Sequence, residues 1–156
     1  MIVSSLFYNW LFIYFYAFNT QVAQRLLALF NQLHNNDEVR VVIITSSTNE
    51  AFCSGADLKE RKGTTDEEWK QQHKLFEDMF QALAELKQPT IATVNGFVLA
   101  GGFELALNCD CIVAGKGATF GLPEVTRGIM PGCVAQGFCQ SAYRFTLQKN
   151  GYLPAG

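Results

Sequence analysis

The chain has 156 residues, which is enough for one domain with its own hydrophobic core. Hydrophobic residues make up 49% of it and charged residues 17%, a composition that excludes an intrinsically disordered chain. The net charge of −2 at pH 7 excludes a general nucleic-acid binder, because such a protein needs a basic surface.

The first sixteen residues differ from the rest. Residues 6–16 are almost all aromatic or aliphatic, and only Asn9 interrupts them. This segment has no basic residues and no small-residue cleavage site, and it is too short to span a bilayer. We therefore predict neither a signal peptide nor a membrane anchor, and we treat residues 1–16 as an atypical segment in front of the core.

A regular pattern of helices and strands begins at residue 17. Thr20 is predicted as the N-cap of a first helix that residues 35–37 end. Residues 40–45 (RVVIIT) predict a strand buried on both faces, and residues 51–56 predict a short strand and turn.

A long second helix follows a polar loop. Thr65 and Glu68 form the pattern of a capping box at its start, and Pro89 is expected to end it. Its apolar face is predicted to contain Trp69, Phe76, Met79 or Phe80, Leu83 and Leu86.

Residues 90–99 then predict a strand, residues 102–108 a helix and residues 110–114 another strand. This alternation of strands and helices predicts an α/β fold with a largely parallel sheet.

The five cysteines are odd in number and contain no C-x-x-C pair. Cys109 and Cys111 lie close together, but no histidine lies near them in the sequence to complete a zinc site. We predict free, reduced thiols, no metal site, and a cytoplasmic protein, or one of the mitochondrial matrix if the source is eukaryotic.

Residues 95–107 (NGFVLAGGFELAL) are the most informative stretch. A strand pattern leads into Gly101 and Gly102, and a helix with Glu104 in its first turn follows. Backbone N–H groups at such a helix start are unpaired and stabilise negative charge. A carboxylate beside them indicates acid–base chemistry on a carbonyl compound, although this motif alone is not specific.

Two further motifs make the pattern specific. Residues 54–60 (SGADLKE), 101–104 (GGFE) and 123–124 (PE) together resemble the enoyl-CoA hydratase/isomerase, or crotonase, superfamily. The resemblance covers about residues 17 to 133 and implies a crotonase-like spiral of ββα units that is incomplete at both ends. Residues 53–61 (CSGADLKER) are most similar to hydratases of short or branched enoyl-CoA thioesters, methylglutaconyl-CoA hydratase among them.

The resemblance implies a role for four residues. The backbone N–H groups of Ala56 and Gly101 would form an oxyanion hole for the thioester carbonyl oxygen. Glu104 and Glu124 would hold a water molecule over the C2–C3 double bond, with Glu104 helping to activate it and Glu124 supplying the proton to C2. Two glutamates favour a hydratase over an isomerase, which would use Glu124 alone.

The resemblance also concerns binding. Lys59 matches a position near the phosphates of coenzyme A, and Gly132 matches a turn close to the substrate. The implied ligand is an acyl-CoA thioester, so coenzyme A is part of the substrate and no separate cofactor is expected. The family further implies a homotrimer or hexamer, without nucleic-acid or membrane partners.

Each residue also has a structural interpretation. Glu104 can simply stabilise a helix dipole, and Glu124 can be a solvated loop residue. Asp57 is expected to be a cap or salt-bridge partner and not a catalyst. His34 and His73 are expected to be structural or solvated.

The terminal parts depart from the family pattern. Of the basic-Ala-x-Asn-Ala turn only residues 17–19 (AFN) remain, and residues 133–139 (CVAQGFC) replace a Gly-Gly-Thr-Gln segment. We predict a core at 17–133 and an atypical segment at 134–156, and one hypothesis for that segment is a reading-frame slip near residue 133. The alternatives to a hydratase are then an inactive crotonase-fold fragment or an enoyl-CoA isomerase.

Overall fold

The computed structural model describes residues 3–7, 10–14, 18–57, 59–60 and 62–128. The helices are α1 (Thr20–His34), α2 (Asp66–Ala84) and α3 (Gly101–Leu107), and a 3₁₀ helix spans Pro123–Arg127. The strands are β1 (Val3–Phe7), β2 (Trp10–Tyr14), β3 (Val41–Thr45), β4 (Ala51–Cys53), β5 (Thr90–Val94), β6 (Phe97–Leu99), β7 (Cys111–Ala114) and β8 (Thr119–Gly121).

These strands form two sheets. The larger has the order β1-β2-β3-β5-β7, in which β1 and β2 are antiparallel and the other neighbours are parallel. The smaller sheet, β4-β6-β8, is entirely parallel. The α/β class with a largely parallel sheet is therefore confirmed, and strands β1 and β2 of the larger sheet come from the atypical segment 1–16.

The core lies where the two long helices meet the sheets. Its largest fully buried side chains include Leu26 and Phe30 of α1, Met79 and Leu83 of α2, and Ile44 of β3. The central residues of β3 are buried, as predicted for a strand covered on both faces.

The start of α1 differs by one residue from the prediction. Asn19, not Thr20, is the N-cap, because its side-chain oxygen accepts a hydrogen bond from the N–H of Val22 at 2.8 Å. The hydroxyl of Thr20 instead donates to the carboxylate of Glu60 at 3.0 Å. Both residue types are good caps, so the sequence alone does not distinguish them.

The second helix begins as predicted and ends earlier. The capping box of Thr65 and Glu68 is present in full. The helix ends at Ala84 with Glu85 as its C-cap, before Pro89. Trp69 is 45% exposed, so it is not part of the buried face. Its ring stacks on that of His73, with centroids 5.0 Å apart.

The prediction of one strand over residues 90–99 is wrong. Residues 90–94 belong to the large sheet and residues 97–99 to the small one. Gly96, with φ +60°, turns the chain between the sheets, and a methyl group at this position would lie 1.9 Å from the carbonyl oxygen of Glu50. The turn therefore requires glycine for both its conformation and its contact.

Candidate active site

The predicted site residues follow strands of the small sheet. β4, β6 and β8 are parallel neighbours, so their carboxyl ends lie at one edge. Ala56 comes after β4, Gly101 and Glu104 come after β6, and Glu124 comes after β8. Ligand sites in parallel sheets form at this edge, because loops that carry polar groups converge there. The fold thus directs four predicted residues to one side of the sheet.

The backbone around Ala56 is fixed by pairing with Phe18. The N–H of Phe18 donates to the carbonyl of Gly55 at 3.0 Å, and the N–H of Asp57 donates to the carbonyl of Phe18 at 2.7 Å. In such a parallel bridge the middle residue directs its own N–H to the opposite side. The N–H of Ala56 accordingly points away from Phe18, and it donates to no other residue that the structure describes.

The second predicted donor lies at the start of α3. Gly101 is the first residue of this helix, where the N–H has no partner within the helix. The carbonyl of Ala100 accepts from the N–H groups of Phe103 and Glu104, whereas no residue in the described ranges accepts from the N–H of Gly101. Ala100 has φ 52° and ψ −134°, a conformation that is costly for a residue with a Cβ atom.

Glycines allow the two donor segments to touch. A methyl group on Gly55 would lie 2.7 Å from Cβ of Ala100 and 3.3 Å from the nitrogen of Gly101. A methyl group on Gly102 would lie 2.4 Å from the carbonyl oxygen of Cys53. The start of α3 therefore rests directly on the backbone that follows β4, and the N–H groups of Ala56 and Gly101 belong to segments in contact.

Glu104 is buried close to Gly101. The residue is 4% exposed, and its Oε2 atom is 4.0 Å from the position of a methyl group on Gly101. A carboxylate is rarely buried to this degree without a partner or a function, because desolvation of its charge is costly.

Glu124 follows β8 at the same edge of the small sheet. It lies in the 3₁₀ helix, just after the carbonyl of Gly121 accepts a hydrogen bond from the N–H of Ala100 at 3.0 Å. Its Oε2 atom is buried and has no hydrogen-bond partner among the described residues. A buried carboxylate oxygen without a partner is unfavourable, so a ligand or water at this position would satisfy it.

The loop after Ala56 is held by side chains. The carboxylate of Asp57 accepts the N–H of Lys59 at 2.9 Å, a turn-stabilising role of the kind expected for Asp57. The carboxylate of Glu60 accepts hydrogen bonds from the N–H of Thr20 and from the side chain of Gln72, at 2.8 and 3.1 Å. Lys59 is exposed on this loop.

Two other expectations concern residues beyond these loops. Gly132 lies outside the described residues. His34 contacts the carbonyl of Glu85 at 3.1 Å, and His73 lies 3.5 Å from Glu77, one turn away on α2. Both histidines therefore have local structural contacts, as expected.

Cys53, the last residue of β4, is a neutral thiol next to Gly55. Burial raises the pKa of Cys53 to about 12, and its sulfur accepts the N–H of Gly55 at 3.4 Å. Cys53 and Cys109 are buried free thiols, and Cys111 is an exposed one. A thiol with so high a pKa is a poor nucleophile.

No described helix is long and apolar enough to cross a membrane. The described part of the chain also contains no group of three or more His, Cys, Asp or Glu residues placed to hold a metal ion.

Comparison with known proteins identifies the family. The family model for enoyl-CoA hydratase/isomerase matches residues 15–143. The chain belongs to the enoyl-CoA hydratase/isomerase family. The match continues beyond residue 133, where the predicted resemblance ends.

Similar proteins of this family include hydratases by name. The chain is 44% identical over 114 residues to enoyl-CoA hydratase domain-containing protein 2, mitochondrial, of Bos taurus, covering 73% of this chain and 38% of that protein. It is 38% identical over 116 residues to the short-chain-enoyl-CoA hydratase of Clostridium acetobutylicum, covering 74% of this chain and 44% of that protein. The chain thus spans less than half the length of these curated relatives.

The fold of a solved family member agrees with this assignment. The structure of an enoyl-CoA hydratase from Bacillus anthracis superposes with a TM-score of 0.79 at 32% identity, covering 84% of this chain and 54% of that chain. The crotonase fold expected from the sequence is therefore confirmed.

Two features of this enoyl-CoA hydratase/isomerase family site were missed by the sequence analysis. They are the strained backbone of Ala100 and the contacts of Phe18 with the donor segments. Neither residue type signals a functional role, because alanine and phenylalanine in apolar stretches are ordinarily core residues.

Proposed function

We propose that the chain is an enoyl-CoA hydratase, which adds water across the C2–C3 double bond of an enoyl-CoA thioester. The observation that carries this proposal is the edge of the small sheet, where the N–H groups of Ala56 and Gly101 lack described partners, Glu104 is buried and the Oε2 atom of Glu124 is buried without a described partner. Donors of this kind suit a carbonyl oxygen that gains negative charge during a reaction.

The N–H groups of Ala56 and Gly101 bind the thioester oxygen. Attack of water at C3 moves electrons toward this oxygen and forms an enolate. Preorganised donors stabilise the enolate more strongly than the substrate, and one such donor is typically worth about 3–4 kcal/mol of transition-state stabilisation.

The two carboxyl groups move the protons. Glu104 accepts a proton from the attacking water as the C3–O bond forms, and Glu124 gives its proton to C2 as the enolate collapses. Addition from one side, with the water held between both groups, gives syn stereochemistry.

Binding of the coenzyme A portion involves the loop after Ala56. Lys59 is exposed there, and its charge suits a phosphate group. In this proposal coenzyme A belongs to the substrate, no separate cofactor takes part, and the active form is a homotrimer or hexamer.

The test is hydration of crotonyl-CoA by the purified chain, followed as loss of the conjugated thioester absorbance. We expect Glu104→Gln and Glu124→Gln each to abolish most of the activity. Glu38→Gln is the matched control, since Glu38 is exposed and lies far along the chain from the site. A folded wild-type chain without activity would instead support an inactive fragment.

A second substrate distinguishes hydration from isomerisation. With a 3-enoyl-CoA thioester, an isomerase produces the conjugated product and needs only Glu124. An isomerase would replace the hydratase proposal if the wild type and Glu104→Gln both isomerise this substrate fully and show no hydration. Glu124→Gln would then have lost isomerisation.

A further inference from the structure

Phe18 contacts both segments that provide the proposed donors. Its backbone pairs with the residues on either side of Ala56, through hydrogen bonds of 3.0 Å to Gly55 and 2.7 Å from Asp57. Its ring lies against the start of α3, since a methyl group on Gly101 would be 3.7 Å from Cδ2 and 3.8 Å from Cε2 of this ring. One residue thus contacts both donor segments.

The ring itself is held in place from the opposite side. Phe18 is 3% exposed, and its ring centroid lies 6.2 Å from that of Phe76 and 6.1 Å from that of Phe80, both on α2. Aromatic contacts of this geometry are favourable. Because protein interiors are close-packed, a smaller side chain at position 18 leaves a gap directly beneath Gly101.

We propose that Phe18 is a positioning residue for the oxyanion hole, which holds the N–H groups of Ala56 and Gly101 at the spacing that one thioester oxygen requires. This inference rests on the proposed hydratase function for its kinetic consequence, whereas its structural content is independent of that function. Phe18 does not touch the reacting atoms, so its effect passes through the two backbone donors.

The effect on catalysis follows from the nature of the donors. Backbone N–H groups stabilise the enolate only when both are aimed at the oxygen, and small displacements of catalytic groups cost up to about 100-fold in rate. Loss of the ring is therefore expected to lower kcat and to leave KM nearly unchanged, because the donors act mainly in the transition state.

The experiment compares Phe18→Leu with Phe80→Leu. Both changes remove a ring from the same aromatic cluster, but only Phe18 pairs with residues 55–57 and contacts Gly101. Thermal unfolding establishes that the two variants are folded and how much stability each loses. If Phe18→Leu is unfolded, Phe18→Met takes its place, since methionine fills irregular space.

The first readout needs no activity. In ¹⁵N-labelled protein, we expect the one-bond N–H residual dipolar couplings of Ala56 and Gly101, which report the directions of the N–H bonds, to change in Phe18→Leu and to keep their values in Phe80→Leu. Equal changes of these couplings in both variants, or no change in Phe18→Leu, would overturn the positioning role even if the chain is an active hydratase.

The second readout is kinetic. With crotonyl-CoA we expect kcat to fall about 10- to 100-fold in Phe18→Leu, and to stay within about twofold in Phe80→Leu at a matched loss of stability. Equal kcat values in the two variants would refute the inference. Failure of the hydratase proposal would appear differently, as a wild-type chain without activity in which the N–H couplings of Ala56 and Gly101 still depend on Phe18.

Discussion

Replacing Gly101 by proline removes one proposed donor and leaves the helix able to form. Proline has no N–H, and the first position of a helix tolerates it because the N–H there has no partner within the helix. Space is available, since a Cβ atom on Gly101 would meet the Phe18 ring at 3.7 Å, an ordinary contact. Ala100, with φ 52° and ψ −134°, lies outside the extended region that a residue before proline prefers, so Ala100→Gly/Gly101→Pro, which has no Cβ atom to meet the proline ring, takes the place of Gly101→Pro if that variant is unfolded.

The expected magnitude comes from the loss of one of two donors. Removing a single oxyanion-hole donor typically lowers kcat by about 10² to 10³, which corresponds to about 2.7–4 kcal/mol. Gly101→Ala is the matched control, because it adds the Cβ atom and retains the N–H. We expect kcat of Gly101→Ala to remain within about threefold of wild type, a change of less than 1 kcal/mol.

The assay is crotonyl-CoA hydration at saturating substrate, with circular dichroism and thermal unfolding as checks of the fold. Comparing the proline variant with the alanine variant separates loss of the N–H from the effect of added volume. The reasoning would be refuted if a folded Gly101→Pro variant kept wild-type kcat. It would also be refuted if Gly101→Ala lost as much activity as Gly101→Pro, since the added carbon would then be responsible.

Four further experiments test the structure around the site. Ala100→Gly should raise the unfolding temperature. It relieves about 1–3 kcal/mol of backbone strain, whereas the added freedom of the unfolded chain costs only about 0.4–1 kcal/mol. An unchanged or lower unfolding temperature would contradict this expectation. Gly102→Ala should lower the free energy of unfolding, measured in urea, by about 1–3 kcal/mol or more, because its methyl group would overlap the carbonyl of Cys53. An unchanged free energy of unfolding would show that α3 can shift away from Cys53 without cost. In native protein, an alkylating reagent followed by peptide mapping should label Cys111 before Cys53. The free energy of unfolding should also fall as the pH rises from about 9 toward 12, because the Cys53 thiol loses its proton in the unfolded chain and retains it in the folded one. The contribution of Cys53 is at most about 1.4 kcal/mol per pH unit, and Cys53→Ala should reduce the slope by that contribution.

Local signals account for the parts of the fold that the sequence predicts well. The capping box of Thr65 and Glu68 involves residues three apart, so its pattern is visible without any tertiary information. The buried strand β3 is equally visible, because apolar residues continue without alternation.

Contacts between distant residues account for what the sequence did not predict. The break between β5 and β6 depends on Gly96, whose close neighbour is the carbonyl of Glu50. The choice of Asn19 over Thr20 as N-cap depends on Glu60, which engages Thr20 from another loop. Neither partner can be identified from the local pattern.

The candidate site divides in the same way. Ala56, Gly101, Glu104 and Glu124 are predictable because each lies in a short motif with a recognisable spacing. The contacts of Phe18 with these segments are not predictable from the sequence, because Phe18 lies far before the motifs in the chain and contacts them only in the folded protein.

The local geometry explains why glycines and one strained alanine surround the proposed donors. Two backbone N–H groups from different segments can face one oxygen only if the segments touch, and a side chain on Gly55 or Gly102 would separate them. The carbonyl of Ala100 accepts hydrogen bonds within α3 and its N–H donates to Gly121, which leaves Gly101 as the first residue of α3 whose N–H has no partner in the described part of the chain. The strain at Ala100 is therefore a consequence of joining β6 to α3 at this point, and the same junction produces the donor on which the proposed chemistry depends.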